Sequence, residues 1–121
     1  MLVVDGNNVM GSRPDGWWKD RAGAAKRLVE QLGDWAVSAD EDVLVIFDGA
    51  PPPEVPARDR VEVRFARRRA PDAADDDIAE LVTSAQDPAR LRVVTSDADL
   101  ARRVREGGAE VVGARWLLDR L

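Results

Sequence analysis

The feature that most constrains this chain is a repeated ending. The apolar runs LVV from Leu2, VLVIF from Val43 and LRVV from Leu91 are short and rich in β-branched residues, and they lead directly or within three positions to Asp5, Asp48 and Asp97. Such runs read as strands, and near-continuous apolar character means burial on both faces, as in a parallel sheet. VEVRF from Val61 and EVV from Glu110 add two more strands. VEVRF alone alternates apolar and polar residues, as an edge strand does.

Helical patterns fill the gaps between the runs. RAGAAKRLVEQLGDWA places Ala22, Ala25, Leu28, Val29, Leu32, Trp35 and Ala36 on one stripe. DDDIAELVTSAQ does the same with Ile78, Leu81, Val82 and Ala85, and SDADLARRVREGG with Leu100, Ala101 and Val104 before a glycine C-cap. ARWLLDRL suggests a last short helix. Strands alternating with helices imply an α/β fold, a three-layer α/β/α arrangement around a mainly parallel five-stranded sheet. With 121 residues, the expectation is a single domain over 1–121. Parallel strands all end at one rim, the rim where open α/β sheets bind ligands, so Asp5, Asp48 and Asp97 are expected to emerge together.

Composition narrows the chemistry. Cysteine and histidine are both absent, which removes disulfides, thiolate nucleophiles, imidazole acid–base catalysis and Cys- or His-ligated metals. The formal net charge of −5 argues against a polyanionic partner until its distribution is considered. Asp5, Asp48, Asp72, Asp75, Asp76, Asp77, Asp97 and Asp99 account for eight of the 23 acids, leaving 15 against 18 basic residues. With that cluster neutralised by cations, the remaining surface need not repel a polyanion. No apolar run of membrane-spanning length and no basic leader stand out, so the expectation is a soluble, cytoplasmic protein with no membrane partner.

Each acid also has a purely structural explanation. Asp5–Gly6 and Asp48–Gly49 suit turns, Ser96 with Asp99 suits the start of a helix, and Asp72 with Asp75 suits the same role one helix earlier. Taken together the structural explanation weakens, because carboxylates gathered at one rim repel one another unless cations are present. Asp75, three residues before Ile78 and seven before Val82, lies on the inward stripe of its helix near the strand ends. An all-oxygen donor set of this kind suits Mg²⁺ or Mn²⁺, which activate water and steady a leaving oxygen in phosphodiester chemistry. Asp5, Asp48, Asp75 and Asp97 are the candidate catalytic and metal-binding acids, with Asp76 and Asp99 as further candidate ligands.

The segments LVVDGNNV, VIFDG, VEVRFARRRAPDAADDDIAELV and VVTSDADLARRVREGGAEVV, in this order, carry a family resemblance. The chain resembles the NYN domains of the PIN-like superfamily, in their YacP-like branch, over nearly its whole length. The resemblance implies a PIN-like fold and a metal-dependent endoribonuclease leaving 5′-phosphate and 3′-hydroxyl ends. It places the family's acids on Asp5, Asp48, Asp75 and Asp97 and its asparagine on Asn8. The glutamate that often follows the helix isoleucine is replaced by Ala79, with Glu80 next.

RNA, single-stranded, is therefore the expected partner, and the oligomeric state is open, a homodimer included. Arg64, Arg67, Arg68 and Arg69 offer a phosphate track, with a solvated arginine loop as the alternative. Asn8 and Ser96, beside the acids, are the candidate polar contacts to substrate, and Asn7 and Asn8 suit either carboxylate orientation or a simple Asx turn. Trp17 and Trp18 suit base stacking or ordinary packing. A receiver-type phosphoacceptor lacks its acid pair and its lysine here, and a haloacid-dehalogenase-type phosphatase lacks its second acid, where Asn7 stands. A fold-retaining RNA-binding or interaction module without turnover is the remaining alternative.

Overall fold

A computed structural model describes residues 1–49, 58–66 and 73–121. Five strands, β1 (Leu2–Asp5), β2 (Val43–Phe47), β3 (Val61–Phe65), β4 (Arg92–Val94) and β5 (Glu110–Val112), form one sheet in the order β3-β2-β1-β4-β5. Every pairing is parallel. β1 and β2 are buried at every residue, which is what their unbroken apolar runs require. β3 lies on the edge and exposes Glu62 and Arg64, in keeping with its alternating sequence.

Period-two alternation sends consecutive side chains to opposite faces. Leu2 and Val4 pack with α1 (Gly6–Gly11), α2 (Arg21–Ala39) and α5 (Ala114–Leu118), through residues such as Val9, Leu28, Leu32 and Leu117. Val3, Leu44 and Ile46 face the other way, onto Ile78 and Val82 of α3 (Ala73–Ser84) and Leu100 and Val104 of α4 (Ala98–Glu106). The result is the three-layer α/β/α arrangement.

The first ending departs from expectation. Where Asp5–Gly6 suggested a turn, the chain passes straight from β1 into α1. A Cβ on Gly6 would stand 2.6 Å from the Phe47 ring, so only glycine lets the helix start so close to β2. Val9 and Met10 then bury the inner side of this single short helix. Short 3-10 turns at Trp17–Lys19 and Pro88–Arg90 complete the connections.

The chain runs outward from β1 through β2 to β3, then returns to place β4 on the other side of β1. The connection direction therefore switches at β1, and the crevice such a switch opens lies at the carboxyl end of that strand. Among the described residues no helix is long and apolar enough to cross a membrane.

Candidate functional site

The carboxyl rim is tied together by a short polar network. Asp5 ends β1 and is only 4 % exposed. Its Oδ2 accepts from the Thr95 hydroxyl at 2.9 Å, and that hydroxyl accepts from the Asp97 backbone N–H at 3.1 Å. Asp48, directly after β2, accepts through Oδ1 from the backbone N–H of Ala74 at 2.7 Å, so the acid at the end of one strand anchors the first turn of α3. Asp97 is the N-cap of α4, its Oδ1 accepting from the N–H groups of Asp99 at 2.9 Å and Leu100 at 3.0 Å.

The adjacent asparagines brace β1 to both neighbours. Asn7 Oδ1 accepts from the Asp48 N–H at 2.7 Å, while Asn8 Oδ1 accepts from the Ser96 N–H at 2.7 Å. α1 makes this possible, because consecutive side chains on a helical turn diverge by about 100° and reach opposite sides. Ser96 then accepts through its hydroxyl from the Ala114 N–H at 2.9 Å, tying in α5. Helix capping by Ser96, expected from its place after the strand, is thus corrected: Asp97 caps α4 and Ser96 serves α5.

Three acids of this rim carry their charge without a basic side chain against them: among the described residues, no Lys or Arg pairs with Asp5, Asp48 or Asp97. Burial pushes the Asp5 carboxyl up from 3.8 to about 6; the Thr95 hydroxyl and the Asn8 backbone N–H oppose that shift, and the charges of Asp48 and Asp97 add to it. The mutual repulsion shows that these acids share one electrostatic neighbourhood.

The other expected residues divide. Asp75 follows Ala74, the residue whose N–H Asp48 holds, so its backbone starts beside the rim. Asp76 bonds to Arg103 of α4 at 3.1 Å. Asp99 points to Arg102, which holds its carboxyl below the usual range, and this exposed pair lies on the outer side of α4. Arg64 pairs with Glu62 on the exposed edge strand. Arg67, Arg68, Arg69 and Asp72 lie outside the described residues. Sequence reasoning missed Thr95, which is 2 % exposed and links two of the acids; the signal was a hydroxyl residue ending an otherwise apolar run two positions before an aspartate.

The donor set fits a hard divalent cation in its chemistry, being oxygen throughout. In its present arrangement, no three acids among the described residues are gathered closely enough to grip one ion. One oxygen each of Asp48 and Asp97 holds backbone amides, so binding would draw on the second oxygen of each.

A doubly covered parallel sheet with aspartates at its strand ends is the arrangement of PIN-like nuclease domains. The model of the YacP-like NYN domain matches residues 2–121, and the chain belongs to that family. Among solved structures it is similar to Rae1 (YacP) from Bacillus subtilis, with a TM-score of 0.77 and 25 % identity over 98 % of this chain and 71 % of that one. A Trp-to-Leu mutant of Rae1 gives 0.81 and 27 %, over 98 % and 72 %. No curated protein sequence matches the chain.

Proposed function

We propose that the chain is a ribonuclease that depends on Mg²⁺ or Mn²⁺ and hydrolyses phosphodiester bonds of single-stranded RNA. Membership of a nuclease-domain family implies RNA-related nuclease function in general terms. The observation that carries the finer reading is the unpaired acidic rim. Asp5 is buried with its pKa raised, and two further acids beside it have no basic partner among the described residues. A fold keeps such a cluster against its own repulsion most readily where a cation is to be bound.

Asp5, Asp48 and Asp97, with Asp75 from α3, would hold the ion. When bound, it supplies an activated water and neutralises the leaving oxygen. The protein supplies position. Thr95 fixes Asp5 relative to the Asp97 backbone, and Asn7 and Asn8 hold the ends of β2 and β4 against β1, so the acids keep their spacing when a polyanion approaches. Arg64 and the arginines at 67–69 lie close in sequence to these elements and would contact phosphate.

The capping duties of Asp48 and Asp97 favour a second reading, a module that keeps the fold and binds RNA without turnover. One experiment separates the two. A mixed single-stranded RNA pool is incubated with wild type and Asp97→Asn, with Mg²⁺, with Mn²⁺ and with chelator. Asparagine retains an oxygen for the Asp99 and Leu100 amides, so the variant folds. The nuclease reading predicts metal-dependent cleavage by wild type and none by the variant; binding without cleavage by both would select the second reading.

A further inference from the structure

Beside the carboxylate rim, on the face of α2, is a cavity of about 340 Å³. Asp48 and Asn7 form the wall it shares with the acidic site, Met10, Ala25 and Phe65 form an apolar floor, and Arg21 stands at its edge. The volume lies within the range of about 300–1,000 Å³ typical of ligand pockets. Phe65 stacks on the buried Phe47 at 5.6 Å between ring centroids, inclined by 25°, so its ring is held in place from behind.

Arg21 supplies the cavity's positive charge. It is exposed and makes no ion pair among the described residues, whereas Arg58, Arg60, Arg102 and Arg103 each have a carboxylate partner. Its guanidinium lies 5.5 Å from the ring of Trp17, which meets Trp18 edge to face at 6.1 Å. Trp18 is 57 % exposed, a large apolar side chain at the surface. A cation and a braced aromatic floor thus meet in one cavity beside the acids, and the Trp17–Trp18 pair adjoins that cation.

We infer that this cavity holds the nucleotide adjoining the scissile phosphate, with its base against Phe65 and its phosphate on Arg21. This rests on the ribonuclease reading of the rim. An RNA strand fits both halves of the lining: its bases are flat and apolar-faced, matching Phe65 and the Met10–Ala25 floor, and its phosphates are anionic, matching Arg21. The strand continues over Trp18, which stacks on the following base. The shared Asp48 wall sets the distance between this subsite and the bond that is cut.

The test measures binding of a fluorescently labelled single-stranded RNA in chelator, across a salt series, and cleavage in Mn²⁺. Arg21→Ala removes the cation, Ala22→Leu fills the cavity from an exposed position that lines it, and Lys26→Ala removes an equal charge one turn further along α2. Arg21→Ala is expected to weaken binding about tenfold, to lower the slope of log affinity against log salt by about 0.7, and to raise KM more than it lowers kcat. Ala22→Leu is expected to weaken binding by a factor of about 5–150, the range for one lost base stack, with the salt slope unchanged. Lys26→Ala is expected to match wild type. Cavity-dependent binding by a protein that cleaves nothing would uphold the cavity as a nucleotide site and sink the nuclease reading. Cleavage with Arg21→Ala and Ala22→Leu indistinguishable from wild type would overturn the subsite and leave the nuclease reading standing, and absence of RNA binding by wild type would also overturn the subsite.

Discussion

The two ends of the sheet are both rich in acids and handle them in opposite ways. At the amino end, Asp40 and Asp42 meet Arg60, Glu41 meets the chain's own amino group at 3.4 Å, and Glu110 meets Arg92 at 3.1 Å. At the carboxyl end, Asp5, Asp48 and Asp97 have only amides and a hydroxyl as partners among the described residues. Exposed ion pairs contribute little to stability; here they place a cation beside each acid, with Arg60 shared by two. Asp5, Asp48 and Asp97 lie at the crevice where the topology switches, with no Lys or Arg paired to them among the described residues. The acids of this chain are therefore not interchangeable surface charge: one set has cations of the chain beside it, and the other, on the proposed reading, is kept for a cation from solution.

The two rims should differ most in activity. Matched neutralisations at the two rims, Asp97→Asn and Asp42→Asn, should differ by more than the roughly 10- to 100-fold that loss of an outer partner costs a metal site. Asp97→Asn is expected to abolish RNA cleavage and Asp42→Asn to leave the rate at wild type, as a gel-based cleavage time course would show. Equal rates for both would erase the distinction between the rims.

Stability gives the next largest effect. The Asp5 carboxyl, raised from 3.8 to about 6, binds its proton more tightly folded than unfolded. Its contribution is therefore fully present below about pH 4 and is lost as pH rises through about 6, an integrated penalty of about 3 kcal/mol in metal-free protein. Asp5→Asn should remove that penalty, so the difference in unfolding free energy between variant and wild type should grow across this window in chelator. A flat difference curve would mean that Asp5 is no more burdened than an amino-rim acid. Thr95→Val should cost about 2–3 kcal/mol at neutral pH, because it strips a buried carboxylate of its hydroxyl donor. Denaturant unfolding checks the value. Smallest of all, Asp42→Asn should barely move the melting midpoint, since Arg60 keeps Asp40 as a partner.

Much of this contrast was legible in the sequence. The strands that end on Asp5 and Asp48 declare themselves through unbroken runs of Val, Leu, Ile and Phe, and a parallel sheet sends all strand ends the same way. α2, α3 and α4 follow from clear apolar stripes. What was not legible depends on contacts between distant residues. α1 is too short to show a period, and its start at Gly6 is dictated by Phe47, 41 positions away, as the bond from Asp48 to Asn7 also records. Whether Ser96 or Asp97 caps α4 turns on a single residue of offset, settled by Thr95 and Ala114 taking the alternative partners. Asp76 and Asp99 resembled ligands in sequence, and what sequence could not show is that Arg103 bonds to the first and Arg102 to the second.

The central claim, that the carboxyl rim is built to receive a divalent cation, is tested most directly by thermal melting during a Mn²⁺ titration. A ligand that binds only the folded state raises its stability by mass action, and here it also relieves the repulsion among Asp5, Asp48 and Asp97. Wild type and Asp42→Asn should show the same saturable rise in midpoint, and Asp97→Asn should show a blunted one. A melting curve for wild type that does not move at millimolar Mn²⁺, or an Asp97→Asn response equal to wild type, would contradict the account.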